Sequence, residues 1–276
     1  MLAVFCLRLA LGMLLTLILL SPRWMHPRFF RTHFLTVLGL SVIALVTGWS
    51  SQIEEQLAQS NLDAGPEPYR RVALVVASLS ALLGALVWIY EKPPLGWSML
   101  AVALIAIASA LAFNAAEQAT LNRATMISAD DGEIALPAFA LLAGDAASAL
   151  LLGFSMTAML VGHSYLISPG MTIRPLMWQI AGLGIAVMAR AAVTSAALWH
   201  WTGTHDLTTL NDVTVLLPVR CLIGLAGPAI LGWLAYRTAK IRSTQSATGI
   251  LYVVVILAFL GELTDLLLTR YTGLPL

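Results

Sequence analysis

The stretch FLGELTDLLL, residues 259–268, places two carboxylates, Glu262 and Asp265, inside an apolar run. The whole chain has this character, since 59% of its 276 residues are hydrophobic and only 11% are charged. Its mean hydropathy is +0.86. Ordinary soluble domains contain roughly 45–50% apolar and about 25% charged residues. The sequence therefore predicts an all-α, polytopic integral membrane protein whose surroundings are the lipid bilayer.

Eight segments are long and apolar enough to cross the roughly 30 Å of a bilayer core, which takes about 20 residues of helix. They cover residues 2–21, 33–50, 72–90, 95–113, 135–162, 175–199, 213–236 and 249–268. We expect one membrane domain, 1–276. The turns LLSPRWMHPRFF (19–30) and LISPGMTIRPLMW (166–178) resemble each other and stand four spans apart. This suggests an internal duplication with halves 1–134 and 135–276.

The basic residues predict the orientation of the chain in the membrane. One set of loops carries Arg23, Arg28, Arg31, Lys92, Arg174, Arg237, Lys240 and Arg242. This side is expected to be cytoplasmic by the positive-inside rule. The opposite loops, about 51–71 and 114–134, are the longest and are acidic. Both termini are therefore predicted to be periplasmic or external.

Charged residues inside the spans are few and balanced in sign. They are Arg8, Asp145, Arg190, Arg220, Glu262 and Asp265. A helical rise of about 1.5 Å per residue places all six between the bilayer midplane and the outer interface. A charge near the bilayer centre costs about 2.5–3.5 kcal/mol, so these residues should pair. Glu262 and Asp265 share a helix face and are expected to neutralise buried arginines.

The seventh span combines a charge with helix breakers, because Arg220 lies between Pro218 and Gly224. An internal proline removes a helical hydrogen bond and leaves a carbonyl available to a neighbour or ligand. The pattern predicts a ligand site formed by Arg220, Arg190 and Glu262, for an anion or a quinone carbonyl. Two alternatives remain open: a purely structural ion-pair network and a proton or ion pathway.

Other functional signals are missing from the sequence. CxxC, P-loop and GxSxG motifs do not occur, and the sequence identifies no catalytic residue or metal site. The net charge is +1 and no stripe of basic residues occurs, which argues against nucleic acid as a partner. The two cysteines lie within apolar spans and are read as fillers. Only His33 and His163 could face each other inside helices at one depth, and haem is not the expected cofactor.

Three stretches resemble a group of uncharacterised bacterial multi-spanning membrane proteins. They are residues 240–267, 27–40 and 162–176. The likeness implies the bacterial inner membrane and brings no function. In architecture alone, eight spans in two four-helix halves are similar to the membrane-anchor subunits of the dimethyl sulfoxide and polysulfide reductase family. That resemblance implies quinol electrons passed to an external iron–sulfur partner.

The favoured interpretation is a membrane subunit of a quinone-linked electron-transfer complex, with other membrane or periplasmic redox subunits as partners. Its polar site would lie in the outer half of the bilayer. A small-solute transporter or permease is the second hypothesis, and a structural or assembly protein is the third. Whether the chain is part of an enzyme stays open.

Overall fold

The computed structural model describes residues 1–48, 67–129, 138–167, 172–204 and 213–272, and it is helical throughout these ranges apart from short turns. The helices are α1 Leu2–Ile18, α2 Pro27–Gly48, α3 Glu67–Ile89, α4 Pro93–Ala129, α5 Ala138–Ile167, α6 Arg174–Thr204, α7 from Val213 to Lys240 in three segments, and α8 Thr244–Thr272. Seven are long and apolar enough to cross a membrane, while α1 has 17 residues. The predicted polytopic fold of about eight helices is confirmed.

Two helices extend further than hydropathy indicated. The predicted bounds of the loops 51–71 and 114–134 were wrong in part, because α3 already begins at Glu67 and α4 continues to Ala129. Residues 115–119 of α4 are rich in alanine, the strongest helix former, so the helix continues past its most apolar part. The remaining residues of both loops lie outside the described ranges.

Helix α1 lies in the interior of the protein. Nearly every side chain from Val4 to Leu17 is buried, which suits a helix that is hydrophobic on all sides. It packs against α2, α4, α5 and, over a shorter stretch, α8. Its 17 residues span only about 25 Å, and its surroundings are mostly protein rather than lipid.

The crossing of α1 and α5 depends on glycines in equivalent places. A Cβ atom on Gly12 would overlap the backbone carbonyl of Ala149, and one on Gly153 would overlap the backbone of Gly12. One turn further along each helix, the Thr16 and Thr157 hydroxyls are 2.7 Å apart. Small residues let membrane helices approach closely, and hydroxyls bond across the contact. The two helices therefore run parallel with a matching Gly-x-x-x-Thr register.

The helices of each half contact one another in the same cyclic order. Helices α1, α2, α3 and α4 form one ring of neighbours, and α5, α6, α7 and α8 form the other. The first helix of one ring packs on the first helix of the other, as described above. The equal order of contacts agrees with an internal duplication of halves 1–134 and 135–276, which stays a prediction.

The outer surface of the helices is apolar. Ile105, Ile185 and Ile230 are 68%, 72% and 66% exposed, and most of the other exposed large side chains in the described spans are Leu, Val or Ile. Soluble monomers rarely present apolar surface on this scale. This surface is the expected contact with lipid tails.

Candidate functional site

The six charged residues predicted to lie inside the spans meet in one cluster, which we call the charge network. It consists of Arg8 on α1, Asp145 on α5, Arg190 on α6, Arg220 on α7, and Glu262 and Asp265 on α8. All six side chains are buried, with exposures of 8% or less. The network joins α1 of the first half to every helix of the second.

Arg8 connects the two halves through three carboxylates. Its Nε donates a hydrogen bond to Asp145 Oδ1 at 2.7 Å, and its Nη1 donates to Asp265 Oδ2 at 2.7 Å. Nη1 also lies 3.6 Å from Glu262 Oε2. A guanidinium suits this position because its planar fork can donate in several directions at once.

Glu262 is the acid shared by all three arginines. Its Oε1 accepts from Arg220 Nη2 at 2.9 Å and from Arg190 Nε at 3.3 Å, while its Oε2 faces Arg8. Arg190 Nη2 reaches Asp265 Oδ1 at 2.5 Å. Arg190 also donates from Nη1 to the Thr194 hydroxyl one turn along its helix, at 3.4 Å. Glu262 and Asp265 therefore act as the joint counter-ions of the cluster.

The network has a formal charge of zero, with three guanidinium groups and three carboxylates. Each ion loses several kcal/mol of hydration when it is buried, and close opposite charges with hydrogen bonds offset this loss. Removing a single partner would leave a net charge in a water-poor interior. The arrangement is stable as a whole and sensitive to each of its parts.

Arg220 is held on an irregular part of α7. This helix is α-helical from Val213 to Val219, π-helical from Arg220 to Ala226 and α-helical again from Gly227 to Lys240. The Gly227 N–H bonds the carbonyl of Leu222, a spacing of five residues. Pro228 has no N–H to donate within an α-helix, so the wider register suits this segment. π-Helical turns occur mostly as single insertions, frequently at functional sites.

Two glycines bring this π-helical segment against α8. A Cβ atom on Gly224 would lie 2.6 Å from Gly261 Cα, and a Cβ on either glycine would also crowd Arg220 Nη1. Gly261 directly precedes Glu262. The close backbone approach therefore sets the distance at which Arg220 meets its acid.

A second buried ion pair lies in the first half and was not predicted. Arg70 Nη1 on α3 donates to Glu117 Oε2 on α4 at 3.0 Å, and both residues are buried. Sequence reasoning had placed both in external loops, because hydropathy fell where the charges began. The Ala-rich helical continuation around Glu117 was the signal that could have located this pair.

His33 and His163 border one cavity at the other end of the fold, together with His26. Among the described residues, no group of three or more His, Cys, Asp or Glu side chains could hold a metal ion. Cys6 is buried and Cys221 partly so, and both have free thiols. No known protein family, curated protein or solved structure matches the chain.

Proposed function

We propose that this chain is a membrane subunit of a quinone-linked electron-transfer complex, with its ligand site at the charge network. The observation that carries the proposal is the position of Arg220. Its guanidinium stands on the π-helical segment of α7, close to both Arg190 and Glu262 in the buried cluster. A simple structural ion pair would need only a regular helix to present the arginine.

The chemistry of the cluster suits a carbonyl ligand. Guanidinium groups donate planar, charge-assisted hydrogen bonds, which a quinone oxygen can accept. In this proposal Arg220 and Arg190 hold the carbonyl oxygen, and Glu262, which contacts both, keeps the two guanidinium groups in place.

The arrangement of the helices gives secondary support. Eight helices in two groups of four are what the resemblance to the dimethyl sulfoxide and polysulfide reductase membrane anchors implies, although no solved structure matches the chain. Those anchors work with an external iron–sulfur subunit. The analogy concerns architecture alone and assigns no residue. On this proposal the partners are redox subunits at the periplasmic side of a bacterial inner membrane.

A transporter or permease for a small solute is the second candidate. It is favoured by the parallel register of α1 and α5 and by the interrupted helix α7. Transporters commonly combine repeated halves with a discontinuous helix near the bilayer midplane. The charge network would then respond to the solute or to a coupled ion.

The substitution Arg220→Lys tests whether Arg220 binds a ligand or only forms a structural ion pair. Lysine keeps the charge that balances Glu262 but loses the planar donor fork. We expect the variant to remain in the membrane with a near-normal melting temperature, and to bind menaquinone or ubiquinone about tenfold more weakly than wild type. Arg242→Lys, an exposed change in the turn after α7, is the matched control and should bind normally.

Quinone binding can be measured on the purified full chain by the change in melting temperature as quinone is added. If wild-type protein is not stabilised by any quinone, the redox proposal gives way to the transporter. If Arg220→Lys unfolds, Arg190→Lys provides the same comparison on α6. Quinone affinity unchanged in both folded variants would place any quinone site elsewhere.

A further inference from the structure

A cavity of about 310 Å³ lies at the opposite end of the fold from the charge network. Its walls are the start of α2 with the turn before it, and the last two turns of α5. They comprise Met25, His26, Arg28, Phe29, Thr32, His33, Leu160, His163, Ser164 and Ile167. On α5, His163 lies about 27 Å from Asp145, at ~1.5 Å rise per residue. The cavity is therefore separate from the proposed quinone site.

The accessible polar groups of this cavity carry an excess of positive charge. Arg28, His26 and His163 line it with exposed side chains, and none of the described residues in its walls is acidic. The ion pairs among the described residues do not include Arg28, so its guanidinium charge is available to a ligand. A cation without a carboxylate beside it favours an anionic ligand.

Both exposed histidines supply a ring N–H for such an anion. His26 Nδ1 accepts a hydrogen bond from the Arg28 backbone N–H at 3.2 Å, so the proton of the neutral ring is on Nε2. His163 Nδ1 lies 3.2 Å from the hydroxyl oxygen of Tyr252 on α8. An anion beside Nε2 selects the state of this ring in which Nε2 carries a proton, and the Tyr252 hydroxyl then donates to Nδ1.

Phosphate is the anion that matches this set of donors. The Arg28 guanidinium can donate two parallel hydrogen bonds to a phosphate, as arginine commonly does. A phosphate group has further oxygens, which can accept from the two imidazole rings. A halide offers no such set of acceptors, and a carboxylate has only two oxygens. We propose that the cavity is a phosphate-binding site, with Arg28, His26 and His163 as the groups that hold the phosphate oxygens.

The apolar part of the lining favours a lipid as the source of the phosphate. Ile167 is 73% exposed and belongs to the apolar outer surface, and Phe29 and Leu160 add further apolar walls. A lipid can place its acyl chains along this surface, whereas a soluble phosphate ester would use the polar groups alone. Basic pockets between membrane helices suit lipid headgroups on the cytoplasmic side, where the predicted orientation places this cavity.

The test uses the purified, delipidated full chain and native mass spectrometry of added ligand. Phosphatidic acid and diacylglycerol are the matched probes, since they differ only in the phosphate. Wild type should bind phosphatidic acid about tenfold more tightly, because charge-assisted hydrogen bonds require the phosphate. Arg28→Gln should remove most of this preference, and His163→Phe should reduce it about threefold. Arg31→Gln removes the same charge from the same end of α2 but lies outside the lining, and it should keep the preference.

Glycerol 3-phosphate identifies the source of the phosphate. Binding much weaker than that of phosphatidic acid supports a lipid. Binding of equal strength that is lost in Arg28→Gln supports the same phosphate site with a soluble ligand.

Three results would overturn the proposal. The first is equal binding of phosphatidic acid and diacylglycerol to wild type. The second is an undiminished preference in both Arg28→Gln and His163→Phe. The third is an equal loss in Arg31→Gln and Arg28→Gln, which would indicate attraction to the basic surface as a whole. If Arg28→Gln does not fold, the two lipids on wild type and on His163→Phe still decide.

Discussion

Glu262→Gln is the substitution that should damage the charge network most. The glutamate carboxylate lies 2.9 Å from Arg220, 3.3 Å from Arg190 and 3.6 Å from Arg8. Glutamine has nearly the same shape, so the change removes charge and leaves three buried cations against two anions. Removing one partner of a buried pair typically costs about 3–5 kcal/mol. At roughly 2–4 °C per kcal/mol for a chain of this size, the melting temperature should fall by about 10 °C.

The assay is thermal unfolding of purified protein in one detergent, followed by circular dichroism, with the amount of folded protein in membranes as a second measure. Asp145→Asn should cost less, because Asp145 contacts Arg8 at 2.7 Å and Arg8 keeps Asp265. Glu91→Gln, an exposed acid in the turn after α3, should change the melting temperature by only about 1–2 °C.

A double substitution tests whether charge balance is the cause. Arg220→Gln alone should also destabilise, because it leaves an excess anion. Combined with Glu262→Gln it restores neutrality, so the double variant should be more stable than the two separate losses predict when added. Wild-type melting temperatures in both single variants, or simple additivity in the double variant, would refute the reasoning.

Three further predictions concern the α1–α5 crossing, the ion pair of Arg70 and Glu117, and the orientation of the chain in the membrane. Gly12→Leu should prevent the close approach of α1 and α5 and abolish folded protein. Gly39→Leu is the control and should be tolerated, because a Cβ atom there meets no atom within 4 Å. The amount of folded protein in membranes measures both variants, and equal amounts would contradict the described α1–α5 crossing. Glu117→Gln should lower the melting temperature by several degrees, because it removes the negative charge from the buried ion pair with Arg70. An unchanged melting temperature would show that this pair contributes little. In intact cells, an impermeant maleimide should label Ser60→Cys and should not label Ser243→Cys, because the basic turns are expected to be cytoplasmic. The reverse labelling would show that the predicted orientation is wrong.

The charge network could be anticipated because a membrane interior leaves few choices for an ionised side chain. The rise per residue along each helix placed Arg8 and Asp265 in the same half of the bilayer, although they are far apart in sequence. Which carboxylate each arginine would reach could not be derived. That depends on helix rotation and on close approaches such as the one between Gly224 and Gly261, which have no signature in hydropathy.

Other features of the structure were not predicted from the sequence, also because they depend on packing and hydrogen bonding that hydropathy does not show. Arg70 and Glu117 were placed in loops because a charged residue lowers local hydropathy whether or not it is paired. The π-helical register of α7 depends on how its backbone satisfies hydrogen bonds around two prolines, which the proline positions alone do not fix. The sequence placed His33 inside a helix, but the complete burial of its side chain depends on packing that hydropathy does not show.

Purification of the chain from its native membrane, under mild detergent, tests the central functional claim most directly. Quinone extracted from the preparation and the subunits that copurify would be measured together. The account predicts about one quinone per chain, with an iron–sulfur or cytochrome subunit bound. A preparation that contains neither quinone nor a redox subunit, and whose melting temperature does not respond to added quinone, would contradict it.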